Sequence, residues 1–249
     1  MLPGGILFPH LHLCLSAVYK DMQKILLVQS RTTEEGIERE RNNFKRAVGD
    51  SAELGFLSAL DERLAWTTPE KLLEGCNGVI FGGSSDFDFH GGRPDSDPVR
   101  LMSMMILSRA KNIVSYAMTH DIPTLGVCFG HQIIGQMHGG MVTNDREQSK
   151  IGAYEVAVTE EGKKDPLFSV LPEKFFAQYA HKDSVTNIPA GATLLATGPA
   201  CRFSALRYGR RVYTVQFHPE VLKMPRGPEH ETPESSRIVS FWVKRVVGL

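Results

Sequence analysis

The hydrophobic pattern of the first 140 residues alternates between two periods. Short apolar runs that end at glycine or polar residues are typical of buried strands, and the stretches between them carry apolar residues at helical spacing. In the longest of these stretches, Val99, Met102 and Ile106 begin one apolar face, and we expect Met102, Met104 and Met105 to pack into the core. The pattern predicts strands at residues 25–28, 54–60, 78–81 and 123–127, and helices at residues 33–48, 67–70, 99–119 and 129–138.

After residue 140 the chain changes to a run of predicted strands. They cover residues 154–159, 176–180, 193–197, 203–208 and 212–217, and a terminal helix follows at residues 235–247. Alternating strands and helices followed by a block of strands indicate an α/β fold. We therefore expect a doubly wound, mainly parallel sheet with helices on both faces and an added antiparallel β region.

The first 21 residues fit this scheme less well. Residues 6–18 are fairly apolar, but no basic segment precedes them and Pro9, His10 and His12 interrupt the run, so the pattern is not that of a signal peptide. The first predicted strand follows soon after Met22. We expect one domain over residues 22–249, with residues 1–21 as an N-terminal appendage outside the core fold.

Charge and cysteine content narrow the possible classes of function. The 28 basic residues balance 28 acidic ones, which gives no reason to expect nucleic acid or an anionic membrane as a partner. The four cysteines, Cys14, Cys76, Cys128 and Cys201, are far apart, so neither a zinc site nor a disulfide framework is predicted. No apolar run reaches the roughly 20 residues of a membrane span, and we expect a reducing, cytoplasmic location.

One cysteine stands in a turn that suits a nucleophile. Gly126-Val-Cys-Phe-Gly130 lies between a predicted strand and a predicted helix, which is the form of a nucleophile elbow with Cys128 in the place of serine. Glycines allow a sharp, strained turn, and the amino end of the following helix favours the reactive thiolate. The alternative is a buried cysteine in a glycine-rich turn.

A candidate base and its partner follow further along the chain. Gln216-Phe-His-Pro-Glu220 ends a predicted strand, in which residues two apart point the same way, so His218 and Glu220 are expected side by side. Glu220 would then orient the imidazole as the third member of a triad. For the oxyanion, the candidate donors are the backbone amides of Phe129 and of Gly82–Gly83, although two glycines are equally typical of a simple turn.

Four segments together resemble the class I (triad) glutamine amidotransferases, and most closely the glutaminase part of GMP synthase and its free-standing relatives. The segments are Phe81-Gly-Gly-Ser84, Gly126-Val-Cys-Phe-Gly-His-Gln132, Ala180-His-Lys-Asp-Ser-Val185 and Gln216-Phe-His-Pro-Glu-Val221. The resemblance implies a flavodoxin-like fold and an enzyme that acts on glutamine or a γ-glutamyl compound without a metal or organic cofactor. The implied roles are nucleophile for Cys128, base for His218, orienter for Glu220, oxyanion-hole amides for Gly83 and Phe129, and substrate binding for Gln132, His181 and Asp183.

Two residues depart from the family pattern. Ser84 stands where many members have proline, and Lys182 stands where glycine is common. Both are expected near the substrate, so they leave open whether the leaving group is ammonia or a larger amine.

Three functions therefore remain open. The first is a stand-alone glutamine amidotransferase that passes ammonia to a separate synthase subunit, because the sequence has no P-loop motif. The second is a γ-glutamyl peptidase or hydrolase, and the third is a non-catalytic binding module, against which the complete triad argues. The loop at residues 84–98 bears on the first two, because Asp86-Phe-Asp-Phe-His90 either lines the entrance or is solvated. A metal site at Asp86, Asp88 and His90 would lack further ligands.

Overall fold

The computed structural model describes residues 22–248, so the expected appendage at residues 1–21 lies outside the described residues. The helices are α1 (Glu34–Val48), α2 (Pro69–Leu72), α3 (Pro98–Thr119), α4 (Phe129–Met137), α5 (Glu160–Lys164) and α6 (Ile238–Trp242). The strands are β1 (Gln23–Gln29), β2 (Ala52–Ser58), β3 (Gly78–Phe81), β4 (Thr124–Val127), β5 (Val142–Thr143), β6 (Lys150–Val158), β7 (Lys174–His181), β8 (Ser184–Val185), β9 (Ala192–Gly198), β10 (Cys201–Tyr208) and β11 (Val212–Val215).

Nine strands form one mixed sheet in the order β2-β1-β3-β4-β11-β10-β9-β6-β7. The first five strands in this order are parallel, and the remaining pairs are antiparallel. β5 and β8 form a separate two-stranded sheet. The predicted α/β class, a mainly parallel sheet extended by an antiparallel region, is confirmed. The parallel order also brings the carboxyl ends of β1, β3, β4 and β11 to one edge, where open α/β sheets bind ligands.

β1 shows how helices cover both faces of the sheet. Leu27 points to one face and lies in the same buried cluster as Phe44 of α1 and Trp242 of α6. Val28 points to the other face, where Ile113 of α3 lies in a second buried cluster. Because both faces are covered, β1 is a continuous apolar run rather than an alternating one.

The buried face of α3 differs from the prediction. Met104 and Met105 are exposed and Met102 is only partly buried, so the expectation that these methionines pack into the core is wrong for two of the three. Ser103 occupies the buried face instead, because its hydroxyl donates to the carbonyl of Asp88 in the preceding loop (2.8 Å). The loop at residues 84–98 therefore packs where the helical pattern suggested a core.

Element bounds and short elements were the other differences. β2 begins and ends two residues earlier than the strand predicted at residues 54–60. β11 ends at Val215 rather than at residue 217. α5, β5 and β8 are too short to show a period and were not predicted. The predicted terminal helix runs through Ser235–Arg237, α6 and a wider π-helical turn at Val243–Val247. Among residues 22–248, none of the helices combines the length and apolar character that a membrane crossing requires.

Candidate active site

The turn between β4 and α4 holds Cys128 in a strained backbone conformation. Its φ of 53° and ψ of −98° lie in a region that residues with side chains rarely adopt, at a cost of about 1–3 kcal/mol. A β-carbon at Gly126 would stand 2.7 Å from the carbonyl oxygen of Gly130, and one at Gly130 would overlap the carbonyl oxygen of Phe81. The glycine spacing noted in the sequence is thus a steric requirement of this turn.

His218 and Glu220 lie in the turn that follows β11. Nδ1 of His218 donates to Oε1 of Glu220 (2.7 Å), and both side chains are buried. The strand has already ended at Val215, and the amide of Val221 donates to the carbonyl of His218 (3.2 Å). The side-by-side placement expected from an extended chain therefore arises through a tight turn, which corrects the local geometry that was predicted.

Cys128 and His218 meet next to Gly83, just after β3. A methyl group added at Gly83 would stand 2.9 Å from Cε1 of His218 and 3.4 Å from Cβ of Cys128. On another side, Sγ of Cys128 lies 3.8 Å from the carbonyl oxygen of Ala180 in β7. Residues from the ends of four strands therefore surround one small space.

Two backbone amides beside this space have no hydrogen-bond acceptor among residues 22–248. They belong to Gly83 and Phe129, whereas the amide of Gly82 donates to Val28 (3.0 Å) and that of Gly130 donates to Gly82 (3.1 Å). The latter bond fixes the glycine pair against the start of α4. The amide of Phe129 lies at the amino end of α4 and that of Gly83 lies in the turn after β3, and two unpaired amides at one place are suited to a developing oxyanion.

The electrostatic setting favours a charged pair of side chains. Burial by itself lowers the pKa of His218, but the Glu220 carboxylate and the Cys128 thiolate outweigh it and hold that pKa well above its ordinary value. A negative charge on Cys128 and the Glu220 carboxylate thus both favour the imidazolium form of His218. Thiolate is the form of cysteine that attacks electrophiles.

The three residues predicted to bind substrate are all buried, and two of them have partners within the protein. Nε2 of Gln132 donates to the carbonyl of Asp183 (2.6 Å), and the Asp183 carboxylate accepts from the amides of His90 and Gly91 (2.6 and 2.8 Å). The ring nitrogens of His181 have no hydrogen-bond partner in the described part of the chain, and burial lowers the pKa of His181 to about 3. Direct contact of these residues with a substrate stays a prediction.

The loop at residues 84–98 packs over the start of α4. Oγ of Ser84 donates to the carbonyl of Ser30 (2.8 Å) and accepts from the amide of Asp86 (3.1 Å), so serine shapes this turn where relatives use proline. The ring of Phe89 is buried and stacks on that of Phe129, with 5.3 Å between centroids. The alternative of a solvated loop is therefore wrong for its aromatic part.

The acidic side chains of this loop serve separate partners. The carboxylate of Asp86 accepts from the amide and the hydroxyl of Thr32 (2.7 and 2.8 Å). Asp88 lies 3.5 Å from Nζ of Lys182. Within residues 22–248 there is no group of three or more His, Cys, Asp or Glu side chains that could hold a metal ion.

A buried ion pair near the site was not predicted from the sequence. Nε and Nη2 of Arg31 donate to Oε1 of Glu40 (3.3 and 3.0 Å). The sequence holds one signal for it. Glu40 lies on the buried stripe of α1 between Gly36 and Phe44, where an apolar residue is usual.

Comparison with known proteins identifies the family. The model of class I glutamine amidotransferases matches residues 99–233, more than half of the chain. A glutamine-hydrolyzing GMP synthase subunit of Methanocaldococcus jannaschii is 36% identical over 126 residues, which cover 49% of this chain and 64%, less than two thirds, of that protein. The subunit of the same name from Archaeoglobus fulgidus is 28% identical over 164 residues, which cover 66% of this chain and 76% of that protein.

Solved structures share the fold. A candidate GMP synthase subunit from Thermoplasma acidophilum superposes with a TM-score of 0.67 at 21% identity, over 91% of this chain and 95% of that one. A glutamine amidotransferase from Thermotoga maritima gives a TM-score of 0.56 at 21% identity, over 80% and 76%. At such identities the likeness is one of fold, and the family follows from the match over residues 99–233. The chain belongs to the class I glutamine amidotransferase family.

Proposed function

We propose that this protein hydrolyses the side-chain amide of glutamine through a triad of Cys128, His218 and Glu220 and releases ammonia for transfer to an acceptor. The observation that carries the proposal is the meeting of Cys128 and His218 next to Gly83. The unpaired amides of Gly83 and Phe129 lie at the same place and supply the donors that acyl transfer needs. Membership of the family supports the same chemistry.

The reaction consists of two acyl transfers. The Cys128 thiolate attacks the side-chain carbonyl carbon, and the resulting oxyanion accepts hydrogen bonds from the amides of Gly83 and Phe129. The C–N bond breaks as the His218 imidazolium gives its proton to the leaving nitrogen, so ammonia departs and a γ-glutamyl thioester remains. His218 then takes a proton from water, the hydroxide attacks the thioester, and glutamate leaves as Cys128 becomes a thiolate again.

For the acceptor of ammonia we propose a separate synthase subunit. The relatives from M. jannaschii and A. fulgidus are each named as one subunit of a glutamine-hydrolyzing GMP synthase, and such a name implies a further subunit. In this arrangement the present chain supplies ammonia and its partner consumes it.

A second candidate is hydrolysis of γ-glutamyl peptides or amides, in which the leaving group is a larger amine. The observation that favours it is Lys182, which stands where glycine is common in the family and pairs with Asp88 of the loop (3.5 Å). Lys182 follows β7 two residues after Ala180, whose carbonyl contacts Sγ of Cys128. The opposite charges of Lys182 and Asp88 would contact the group attached to the γ-glutamyl moiety and so determine which leaving groups fit.

The nucleophile is tested by labelling with a diazo-ketone analogue of glutamine. We expect peptide mapping to find the adduct on Cys128, and Cys128→Ala to abolish it. Cys201→Ala is the matched control, because Cys201 is also buried and should leave labelling unchanged. Labelling that survives in Cys128→Ala would refute the assignment, and a wild-type protein without any adduct would favour a binding module.

The two substrates are separated by offering the wild type glutamine and a panel of γ-glutamyl dipeptides. The proposal expects ammonia from glutamine at a higher kcat/KM than amine release from any dipeptide. Rapid turnover of dipeptides with little ammonia from glutamine would establish the second candidate instead. Under that candidate, Lys182→Gly should lower kcat/KM for dipeptides more than for glutamine.

A further inference from the structure

The guanidinium of Arg31 lies beside the same small space as the proposed triad. Arg31 follows β1, the neighbour of β3 in the sheet, and its side chain is 11% exposed. The methyl position at Gly83 that is 3.4 Å from Cβ of Cys128 is also 3.5 Å from Nη2 of Arg31. A fixed positive charge is thus as close to this point as Cβ of Cys128 is.

The guanidinium is held rigidly. Two of its nitrogens donate to Glu40, and Nη1 donates to Oγ of Ser85 (3.0 Å). The second carboxylate oxygen of Glu40 accepts from Nε2 of Gln29 (3.0 Å), and the Glu40 side chain is only 2% exposed. A buried ion pair of this kind is weak support for stability, because apolar residues of similar volume often serve as well. Because burying the Arg31–Glu40 pair costs desolvation energy, we infer that the pair has a role other than stabilising the fold.

The two charges of the Arg31–Glu40 pair face different glycines of the Gly82–Gly83 turn. A β-carbon at Gly82 would stand 2.6 Å from Oε1 of Glu40, whereas one at Gly83 would stand 3.5 Å from Nη2 of Arg31. The positive end of the pair therefore lies on the side of Cys128. Burial by itself lowers the pKa of Arg31, but Glu40 foremost, with Cys128 and Glu220, outweighs it and raises that pKa.

Ionisable groups from several elements lie around Cys128 besides Arg31, and one of them is buried His181 at the end of β7, next to Ala180. His218 faces Cys128 from the turn after β11, with Glu220 behind it, and buried Cys201 approaches from β10. Glu40 reaches the turn from α1. Arg31 and His218 are the two cations of this set, so each can hold the thiolate.

We propose that Arg31 is a positioning residue whose fixed charge, held by Glu40, works with His218 to keep Cys128 as a thiolate ready for attack. The proposal rests on the proposed function of Cys128 as the nucleophile. A nearby opposite charge moves the ionisation of an acid by about one pH unit or more. Without Arg31 the thiolate population below the midpoint should fall about tenfold.

The test measures alkylation of Cys128 by iodoacetamide against pH, with mass spectrometry to assign the modified residue. In Arg31→Met the midpoint of the rate profile is expected about one pH unit higher than in the wild type. Arg31→Lys keeps the charge and should leave the midpoint close to that of the wild type. Arg39→Met is the matched control, because Arg39 forms an exposed pair with Glu35 on α1 and should leave the profile unchanged.

Arg31→Met leaves Glu40 buried without its partner and is at risk of misfolding. The double variant Arg31→Met with Glu40→Gln removes both charges and keeps the bond from Gln29. It should also raise the midpoint, by less than Arg31→Met does because the opposing charge of Glu40 is removed as well, with circular dichroism confirming that it is folded. An unchanged midpoint in the folded double variant would overturn the role of Arg31.

This outcome is distinct from failure of the proposed function, because alkylation needs no substrate. A shifted midpoint together with no turnover of glutamine or γ-glutamyl dipeptides would uphold the role of Arg31 and refute the proposed function. Labelling by the glutamine analogue together with an unshifted midpoint would support Cys128 as the nucleophile and refute the role of Arg31.

Discussion

At residue 128, changing alanine to glycine should destabilise the fold less than the same change does at an ordinary buried position. The backbone of Cys128 has φ 53° and ψ −98°, which glycine adopts without strain and other residues do not. The comparison is between Cys128→Ala and Cys128→Gly, since both lack the thiol and differ by one methyl group. Ala177 in the middle of β7 supplies the control change, because it is fully buried and has an ordinary backbone.

The magnitudes follow from three contributions. Ala177→Gly loses about 0.5–1 kcal/mol of backbone entropy and about 0.8 kcal/mol from one buried methyl group, so it should cost about 1–2 kcal/mol. The step from Cys128→Ala to Cys128→Gly carries the same two costs but recovers about 1–3 kcal/mol of strain. The step at residue 128 should therefore come out near zero or stabilising, and the two steps should differ by the strain alone.

The assay is equilibrium unfolding in urea for the wild type and the three variants. In a chain of this size, 1 kcal/mol corresponds to about 2–4 °C in Tm, so thermal scans give a second reading. If glycine costs as much at residue 128 as at residue 177, the turn is not strained in solution. The steric account of the nucleophile elbow would then be refuted.

Two further predictions concern buried polar groups near the site. Burial, aided by His181, holds the pKa of His131 at about 3, whereas in the unfolded chain this histidine binds its proton below about pH 6.5. The free energy of unfolding should therefore decrease as the pH is lowered from about 6.5 to about 3, by up to about 1.4 kcal/mol per pH unit. Urea unfolding at pH 6.5 and pH 4 should thus show a larger loss for the wild type than for His131→Gln, and equal losses would contradict the assignment. Asp183→Asn cannot accept from both loop amides as the carboxylate does, which leaves a partly buried donor unpaired at a cost of at most about 1–3 kcal/mol. Chymotrypsin should then cut faster after Phe89, and unchanged cleavage would show that Asp183 does not anchor the loop.

The fold was largely predictable because its parallel strands are buried on both faces. Such strands are continuous apolar runs with sharp ends, as at Gly78–Phe81, which the sequence pattern delimits as the structure does. The bounds of β2 and β11 were less certain, because their ends carry no glycine or proline that would stop a strand. The pairings of β9 with β6 and of β11 with β4 join segments far apart in the chain, which no local period reports.

The placement of Cys128 was predictable because the turn demands particular residues. Glycine at positions 126 and 130 is needed for steric reasons, so the turn leaves a signature in the sequence. The Arg31–Glu40 pair leaves only a weaker signal, an acidic residue on the buried stripe of α1. α1 has many charged residues, and only the neighbourhood of β1 and β3, where Val28 pairs with Phe81, brings Arg31 to the glycine turn.

The relative placement of Cys128 and His218 depends on the register of two strands rather than on the packing of side chains. Val127 of β4 pairs with Val215 of β11, and the amide of Cys128 donates to the carbonyl of Val215 (2.8 Å). Because all residues of both strands are buried, a slip by one residue would turn each buried side chain to the opposite face and is strongly disfavoured. Lys182 and the loop at residues 84–98 lie outside this strand pair. Substitutions there can therefore change the surroundings of the site without moving Cys128 relative to His218.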